Sequence, residues 1–590
     1  MSWVAVNNQR VELNGEESIL AVVRKAGVDL PTLCYHPELS VYGGCRLCLV
    51  EVKGRGVVAA CHTPPEEGMR IHTNTDQLRF LRKMALELIL AGHERECTSC
   101  SRSGTCRLQE LAERFRVDKP RFQRQAPAQA VDDSGPALIR DPKKCVLCGE
   151  CVRVCAEWQG IGALSFSKRG ARMSVSTAFD LPISETSCVN CGQCAAVCPT
   201  GALVVKAQMD AVWQALADPE KIVCFQIAPA VRVAIGEEFG LAPGHSTTGR
   251  LAAALRRLGA DRVFDTSLAA DLTVLEETAE FLERVEAGER LPLFTSCCPA
   301  WVKYAEQSYP EYLDNLSSCR SPQQMLGSLV KRYYRTELGV QPDQIVMVSV
   351  MPCTAKKFEA QRPEFATAGI RDVDFVITTQ ELAQMIREHG LEYTALPEEP
   401  LDEPFAVPTG AGIIFGVTGG VSEAVLRRAY EVLAAEPAHE VEFTEVRGFE
   451  GLRSCELTIG DRVIRLGVVN GLANAAELLR EIQAGTVHYD LVEVMACPGG
   501  CVGGAGQPIS RGDSAVRRRR GVGLYLGDGQ QKVRRAQENP AVAAIYERWL
   551  GAPGSSEAHT ALHTVYSHRE GHRSEADAVC VRNDTVRTTA

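Results

Sequence analysis

The chain has 590 residues, 24 cysteines and a formal net charge of −10 at pH 7. A chain of this length is expected to form about four domains, so disulfides are not needed to compensate for a small core. The acidic balance, with one short basic run at residues 517–520, argues against binding to nucleic acid. The sequence shows neither a signal-peptide pattern nor an apolar run of about 18 residues, which predicts a cytoplasmic protein with reduced thiols.

The first cysteines lie between the strand-like segments VAVNNQRVEL and CLVEV, and three of them are close to a glycine-rich turn. Backbone N–H groups of such a turn can bond the sulfurs of a cluster. The spacing C-x10-C-x2-C-x12-C predicts a plant-type ferredoxin-like [2Fe–2S] domain over residues 1–78, with structural zinc as the alternative. The expected ligands are Cys34, Cys45, Cys48 and Cys61.

A second group of ligand-type residues follows the helix-like segment LRKMALELILAG. Its three cysteines, Cys97, Cys100 and Cys106, leave a cubane one ligand short, and His93 stands four residues before the first of them. We therefore predict a histidine-ligated [4Fe–4S] domain over residues 79–125. A neutral imidazole in place of an anionic thiolate should raise the reduction potential of such a cluster.

Two tandem runs, KCVLCGECVRVC and SCVNCGQCAAVC, both read C-x2-C-x2-C-x3-C. This is the spacing of bacterial two-cluster ferredoxins, in which the fourth cysteine of each run binds the other cluster. We predict a two-cubane domain over residues 138–209 and regard zinc as the minor alternative. One cluster is assigned to Cys145, Cys148, Cys151 and Cys198, and the other to Cys188, Cys191, Cys194 and Cys155.

From about residue 210 strand-like and amphipathic helical segments alternate, which predicts an α/β domain over residues 210–520. Three apolar segments each lead into cysteines: LPLF, QIVMVSV and YDLVEVMA. Sites in open α/β sheets form at the carboxyl ends of strands, so these cysteines are expected to meet in one crevice. Four thiolates would hold a further cubane, and a fifth thiol without a metal would be a protonatable group.

The segments TSCCP (residues 295–299), MPCTAKKFE (residues 351–359) and EVMACPGGC (residues 493–501) resemble the three signature segments of the [FeFe]-hydrogenases. The resemblance extends from the first cysteine-rich domain to about residue 565. It implies an α/β catalytic domain that binds the H-cluster, preceded by ferredoxin-like α+β iron–sulfur domains in a multidomain chain. The implied reaction is the reversible conversion of protons and electrons to H2.

The same resemblance implies the cofactors and a role for individual residues. The H-cluster of the family is a [4Fe–4S] cubane joined to a two-iron unit that carries carbonyl, cyanide and an azadithiolate. Its cubane ligands would be Cys298, Cys353, Cys497 and Cys501, with Cys501 as the bridge. Lys356 would pair with a cyanide. The remaining pocket residues would be an apolar wall of Met351, Phe415 and Met495, together with Gln323, Ala228 and Pro229 around the diatomic ligands.

A proton path is implied by Cys297 and by one face of the segment LTVLEETAEFLERV. Glu277, Glu280 and Arg284 recur there at i, i+3 and i+7, which places them on one side of a helix. Such a charged face is by itself most often a solvated surface. The resemblance instead implies that these residues, together with Ser317, carry protons to the thiol of Cys297.

The remaining segments carry weaker signals. Residues 521–567 resemble the small subunit of the family fused to the large one, and residues 568–590 form a polar tail. Three cysteines, Cys224, Cys319 and Cys455, fit no cluster spacing and are expected to pack in the core. Cys580 receives no role.

The sequence has no G-x-G-x-x-G fingerprint, so we expect neither NAD(P) nor flavin on this chain. One [2Fe–2S] and three accessory [4Fe–4S] clusters would pass electrons to one of two kinds of partner. One is a soluble ferredoxin. The other, which we favour, is a hetero-oligomer with a flavin- and NAD(P)-binding iron–sulfur subunit and a thioredoxin-like [2Fe–2S] subunit, as in anaerobic electron-bifurcating enzymes.

Two alternatives to a hydrogenase compete at this point. One is a non-catalytic electron-transfer subunit, because the first 200 residues also resemble a cluster-bearing subunit of NADH dehydrogenase. The other is a sensory or iron–sulfur assembly relative that shares the catalytic fold. The presence of Cys297, Lys356 and the two glutamates disfavours both, because neither alternative needs a proton path.

Overall fold

The structure is a computed structural model that describes residues 2–123, 130–434, 442–459 and 462–569. Cys580 and nearly all of the predicted polar tail lie outside these residues. The described parts contain cysteine-rich domains followed by an α/β domain, so the predicted fold class is confirmed. None of the described helices is long and apolar enough to cross a membrane.

The first domain is a five-stranded mixed sheet in the order β2-β1-β5-β3-β4, with β1 parallel to β5 and the other pairs antiparallel. Alternate residues such as Val4, Val6, Val50 and Val52 are buried on one face, as the two-residue period of a strand requires. The elements are β1 (Trp3–Val6), β2 (Gln9–Glu12), α1 (Ile19–Lys25), β3 (Leu49–Val52), β4 (Gly56–Ala59) and β5 (Arg70–His72).

A helical segment and a small ferredoxin-like domain follow. Gly149 and Gly192 stand at equivalent positions of the two cysteine runs, and each has positive φ, of 70° and 71°, immediately before a short helix. The helical segment contains α2 (Asp76–Ala91) and α3 (Arg107–Arg114). The ferredoxin-like domain contains β6 (Leu138–Arg140), α4 (Glu150–Arg153), β7 (Ser165–Ser167), β8 (Ser174–Ser176), α5 (Gln193–Val197) and β9 (Leu203–Val205).

The α/β domain contains two four-stranded sheets. One is all parallel in the order β11-β10-β13-β16, and the other has the order β12-β19-β18-β17 with only β17 antiparallel. Every residue of β13 is buried, as expected for a central strand covered on both faces. The strands are β10 (Ile222–Ile227), β11 (Arg262–Asp265), β12 (Leu293–Phe294), β13 (Ile345–Met351), β14 (Ala366–Thr367), β15 (Ile370–Arg371), β16 (Phe375–Thr378), β17 (Leu452–Ile459), β18 (Arg462–Asn470) and β19 (Leu491–Met495).

One long helix, α9, lies in the middle of this domain, and most of its residues are buried. Asp265 caps its first turn by accepting a hydrogen bond from Ser267 N at 2.8 Å. The helices of this domain up to α14 are α6 (Met209–Ala217), α7 (Pro229–Arg232), α8 (Thr248–Leu258), α9 (Thr266–Ala287), α10 (Pro299–Ser308), α11 (Pro322–Leu329), α12 (Arg335–Leu338), α13 (Ala355–Glu359) and α14 (Thr379–Glu388). Those after it are α15 (Gly410–Ile414), α16 (Gly420–Ala434), α17 (Leu472–Gln483), α18 (Ser514–Gln530), α19 (Pro540–Ile545) and α20 (Ser556–Leu562).

The C-terminal helices wrap back onto the α/β domain. Backbone bonds of 2.8 Å join Arg320 N to Leu562 O and Thr564 N to Ser318 O, so the segment after α20 runs beside the residues that precede α11. Two of the expected domain boundaries fall inside helices: 78/79 lies within α2, and 520/521 lies within α18, which begins at Ser514.

Candidate active site and cluster sites

Three strands of the α/β domain end at the predicted signature segments. The chain leaves β12, β13 and β19 at their carboxyl ends and then places Cys298, Cys353, Cys497 and Cys501 around one point. Burial and the neighbouring thiol of Cys298 raise the pKa of Cys353 to about 11, and Ala496 N donates to Cys298 Sγ at 3.4 Å. Four neutral thiols in one enclosed space are a donor set that fits a cubane, whose binding would release their protons.

The loop between Cys497 and Cys501 depends on glycine. Gly500 has φ of +87°, and a Cβ at this position would lie 2.5 Å from Thr418 N. An L side chain is therefore excluded by conformation and by space, so the loop can approach the turn after α15 closely enough to enclose the thiols.

The residues predicted to form the pocket wall are buried in the large apolar cluster against which three of the site's cysteines pack. Met351, Phe415 and Met495 are 2%, 6% and 3% exposed, and they belong to one apolar cluster with Ala228. Cys297, Cys298 and Cys501 pack against the same cluster. Pro229 is buried as the first residue of α7. The wall can exclude water from the space between the thiols.

Lys356 enters the site from α13 with all its hydrogen bonds on the protein. Its Nζ donates to Glu359 at 2.9 and 3.2 Å and to the carbonyl oxygen of Cys297 at 3.2 Å. Burial lowers the pKa of Lys356, but the Glu359 carboxylate outweighs it, so the pKa is raised and the ammonium stays charged. The Gln323 amide donates to Glu359 at 3.0 Å, whereas its buried Oε1 has no partner among the described residues and is free to face a bound group.

The predicted proton path has three residues on α9, with Ser317 before α11 and Cys297 between β12 and α10. Arg284 donates to Glu280 at 2.5 Å, and the Ser317 hydroxyl donates to Glu280 at 3.3 Å. Glu277 is 1% exposed, and its Oε2 accepts no hydrogen bond from any residue that the structure describes. Burial raises the pKa of Glu277 to about 8, against the opposing hydroxyl of Ser317. A buried carboxyl next to Cys297, with one oxygen left unsatisfied among the described residues, fits a proton carrier better than a structural ion pair.

Several residues of the site have no counterpart in the sequence-based prediction. Glu359 holds both Lys356 and Gln323, and the i, i+3 spacing within MPCTAKKFE could have indicated the first of these contacts. Glu493 accepts hydrogen bonds from Gly419 N at 2.6 Å and Ser422 N at 2.9 Å, so it fixes the start of α16 beside the site. No local sequence signal identifies that contact.

The ferredoxin-like domain brings its eight thiols together as two sets of four. One cavity is lined by Cys145, Cys148, Cys151 and Cys198, and another by Cys155, Cys188, Cys191 and Cys194. Each set takes one cysteine from the other run, which is the exchanged arrangement of a two-cluster ferredoxin.

The second of these cavities adjoins the active site. Thr354, next to Cys353, donates through its hydroxyl to Asn190 O at 2.7 Å, and Gln193 donates to Gly503 O at 3.1 Å. Gly192 fits between Thr354 and Ala505, where a Cβ would collide with both. The loop that carries Cys191 is thus locked against the loop that carries Cys353.

The two remaining cysteine groups occupy the first domain and the helical segment after it. In the first domain the thiol of Cys34 donates to Cys45 and lowers the pKa of Cys45 to about 6, and Cys48 forms a similar pair with Cys61. Four thiols in two adjacent pairs suit a [2Fe–2S] cluster.

In the helical segment the Nδ1 atom of His93 is buried and has no partner among the described residues. An imidazole nitrogen without a hydrogen bond is available as a ligand. A Cβ on Gly201 would lie 2.8 Å from Cys100 Sγ, so the ferredoxin-like domain closes over this second group.

Of the cysteines expected in the core, Cys224 and Cys319 are fully buried, and Cys455 is partly buried on β17.

Comparison with known proteins agrees with this geometry. Residues 221–505 match the family described as "Iron only hydrogenase large subunit, C-terminal domain". Residues 3–76 match a 2Fe-2S iron-sulfur cluster binding domain, and residues 82–121 match the NADH-ubiquinone oxidoreductase-G iron-sulfur binding region. Residues 144–202 match a 4Fe-4S dicluster domain, and residues 514–569 match the iron hydrogenase small subunit. The NADP-reducing hydrogenase subunit HndD of Solidesulfovibrio fructosivorans is 44% identical over 97% of this chain and 99% of its own length.

The chain belongs to the [FeFe]-hydrogenase family. Iron hydrogenase 1 of Clostridium pasteurianum is 38% identical over 96% of this chain and 100% of that protein. A solved structure of the [FeFe]-hydrogenase HydA1 from Chlamydomonas reinhardtii is 42% identical, with a TM-score of 0.57 over 62% of this chain and 100% of that one. The predicted function, an oxidoreductase of the hydrogenase class with iron–sulfur binding domains, is confirmed.

The alternative of an assembly protein is not supported to the same extent. The mouse Cytosolic iron-sulfur assembly component 3 is 32% identical to this [FeFe]-hydrogenase over 61% of the chain. The two hydrogenases above are similar over nearly the whole chain, including the first cysteine-rich domains.

Proposed function

We propose that this [FeFe]-hydrogenase interconverts H2 with protons and electrons where the three strand ends meet, and that protons and electrons arrive by separate routes. The observation that carries the proposal is that five neighbouring thiols have two different environments. Four of them face one another, whereas Cys297 is close to the Glu277 carboxyl, whose Oε2 has no partner among the described residues.

The H-cluster would be held by Cys298, Cys353, Cys497 and Cys501. When bound, this group supplies the iron at which the H–H bond is made or broken. Lys356, fixed by Glu359, presents a positive charge at the pocket, and the free end of the Gln323 amide would contact the bound group. The apolar wall of Met351, Phe415 and Met495 excludes water, together with Ala228 and Pro229.

Protons would pass between solvent and the pocket through Glu280, Ser317, Glu277 and Cys297, with Arg284 holding the Glu280 carboxylate in place. Burial raises the pKa of the Cys297 thiol well above its ordinary value, so the thiol holds a proton at neutral pH. Glu277, with a pKa of about 8, can return that proton after Cys297 has released it. The hydrogen bond from Ser317 to Glu280 continues the path away from the pocket.

Electrons would travel through four accessory clusters. We propose a [2Fe–2S] domain up to α2, a histidine-ligated [4Fe–4S] segment around α2 and α3, and a two-cubane domain ending near α6. The small-subunit-like segment would begin with α18. The ligands are Cys34, Cys45, Cys48 and Cys61; His93, Cys97, Cys100 and Cys106; Cys145, Cys148, Cys151 and Cys198; and Cys188, Cys191, Cys194 and Cys155. The loop that carries Cys191 is hydrogen-bonded to the loop that carries Cys353. The last of these clusters would therefore be the immediate electron donor to the active site.

Replacement of His93 by cysteine is expected to lower the midpoint potential of one [4Fe–4S] cluster, because an anionic thiolate stabilises the oxidised state more than a neutral imidazole does. The measurement is a redox titration followed by electron paramagnetic resonance. His389→Cys changes an exposed histidine stacked on Trp213 and is the matched control. An unchanged spectrum and potential in His93→Cys would exclude His93 as a ligand.

For the electron partner we propose a hetero-oligomer with a flavin- and NAD(P)-binding subunit and a thioredoxin-like [2Fe–2S] subunit. The similarity to a protein named as a subunit of an NADP-reducing hydrogenase supports this assembly. A soluble ferredoxin is the second candidate, because a relative named only as an iron hydrogenase is similar over a comparable length. Purification of the tagged chain from its native cells distinguishes them: co-purifying flavoprotein with H2-dependent NAD(P) reduction supports the first, and a chain that purifies alone and reduces only ferredoxin supports the second.

The hydrogenase reaction itself is tested with the anaerobically matured full-length chain. We expect infrared bands of cyanide and carbonyl ligands, together with H2 evolution from a reduced dye. A chain with intact accessory clusters but neither signal would contradict the proposed reaction.

A further inference from the structure

A continuous series of buried and partly buried polar groups reaches Glu280 through Ser318. The Ser318 hydroxyl donates to Glu280 Oε2 at 3.1 Å and shares a hydrogen bond of 2.8 Å with Nδ1 of His563. The other ring nitrogen of His563, Nε2, lies 3.0 Å from Oε2 of Glu276. A carboxylate, an imidazole, a hydroxyl and a second carboxylate are thus linked with no gap.

This chain of groups is built by the C-terminal segment on α9. Glu276 and His563 are 1% and 7% exposed. Glu276 also accepts hydrogen bonds from Tyr546 OH at 2.5 Å and from the backbone of Gly554 at 2.8 Å, and Gly554 itself is exposed. The ring of His563 stacks on that of the exposed His559 with centroids 4.1 Å apart. The Glu276 end of this series of groups is therefore covered by the surface loop that contains Gly554 and by the exposed imidazole of His559.

The chemistry of the two sides of Glu280 differs. Arg284 is a permanent cation that does not release a proton in proteins, and its remaining bonds go to the backbone carbonyls of Arg290, Asn315 and Leu316. An imidazole such as that of His563 accepts a proton on one nitrogen while it gives one up from the other. Of the two sides, only the one with His563 consists of groups that all both accept and donate protons.

We propose that Glu276, His563 and Ser318 form a second proton branch, which meets the proton path at Glu280. The C-terminal segment contributes the imidazole of this branch. In one transfer, Ser318 gives its hydroxyl proton to Glu280, receives the Nδ1 proton of His563, and Nε2 takes the proton of the Glu276 carboxyl. The net result of the three hops is the transfer of one proton from Glu276 to Glu280. Glu280 becomes neutral, Glu276 becomes a carboxylate, and no electron is involved. The branch rests on the proposed function, because it needs Glu280 on the path to Cys297.

The test uses His563→Gln in the matured full-length enzyme, alone and combined with Arg284→Gln. Glutamine can keep hydrogen bonds to Ser318 and Glu276 but cannot carry a proton at neutral pH. If His563 only positions Glu280, His563→Gln should behave like the wild type. If it relays protons, the double variant should lose H2 turnover by about tenfold or more relative to Arg284→Gln alone, since a proton-transferring group contributes about 10²–10⁴-fold.

Three further variants make the result decisive. Ser318→Ala removes the link to Glu280 while leaving His563 in place, and it should reproduce the loss even if His563→Gln fails to fold. Tyr546→Phe removes a hydroxyl from Glu276 but leaves the branch intact, and it should retain wild-type turnover.

Glu280→Gln separates the two proposals. If it stops turnover while His563→Gln and Ser318→Ala have no effect in the Arg284→Gln background, the branch is refuted and the main path stands. If Glu280→Gln itself turns over normally, the proposed path is refuted. Unchanged infrared bands and iron content in each variant show that the clusters are intact.

Discussion

Replacement of Cys297 by alanine is expected to stop H2 turnover while all clusters remain in place. Cys297 is not one of the four thiols that face one another, so its loss should not prevent cluster binding. Its proton is retained at neutral pH, because burial raises the pKa of the thiol and the nearby Glu277 carboxyl adds to that shift. Alanine leaves no group there to transfer a proton. The expected fall in turnover is about 10²-fold or more, the usual contribution of a general acid or base.

The measurement is H2 evolution from a reduced dye, compared with infrared bands and iron content on the same preparation. Cys224→Ala is the matched control, because it removes another buried thiol from β10, outside the cluster sites. Turnover close to that of the wild type in Cys297→Ala, with a loaded site, would remove Cys297 from the proton path. Loss of the infrared bands would instead make Cys297 a residue needed for cofactor binding.

Replacement of Glu277 by glutamine is expected to reduce turnover by about 10²-fold or more for the same reason. Glutamine preserves the size and polarity of the side chain but cannot release a proton. Glu277→Asp keeps the carboxyl and shortens the side chain by one methylene group, so it should recover part of the rate. Wild-type turnover in Glu277→Gln would exclude Glu277 as a carrier.

The pKa of about 8 also gives Glu277 a pH signature. Below this pH the buried carboxyl is neutral and can donate, so the Glu277-dependent part of the H2-evolution rate should fall as the pH rises through about 8. The contribution of Glu277 to the free energy of unfolding also falls as the pH rises. Because the ordinary value is 4.5, the neutral buried carboxyl favours the folded state fully below pH 4.5, and this contribution is lost up to about pH 8. Unfolding of the cluster-free chain should therefore depend less on pH in Glu277→Gln than in the wild type.

The spacing of the cysteines was enough to predict the kinds of site and their order along the chain. The thiolate ligands of an accessory cluster come mostly from one short segment of the chain. Runs such as residues 145–155 can therefore be recognised from their spacing alone. The apolar segments before Cys297, Cys353 and Cys497 likewise indicated strands, and the rule that sites form at strand ends predicted that they meet. The family and its reaction followed from three short motifs.

The partners of single polar side chains could not be predicted in this way. The helical period places Glu277, Glu280 and Arg284 on one face, but the same pattern describes a solvated surface. Only the packing of α11, α15 and α16 around α9 makes that face an interior one and leaves Oε2 of Glu277 without a partner among the described residues. Burial is a property of the assembled layers, and it is burial that turns an ordinary carboxyl into one that holds a proton at neutral pH.

The sequence by itself therefore determined the cluster-binding segments, the α/β class and the hydrogenase chemistry, because each of these depends on residues close together in the chain. The tertiary structure alone decided which groups surround Glu280. Ser318 and His563 are 245 residues apart, and His563 and Glu276 are 287 apart, so no local pattern connects them. The C-terminal helices fold back onto α9 to bury apolar side chains such as Ile545 and Leu562, and that packing places the imidazole beside the proton path.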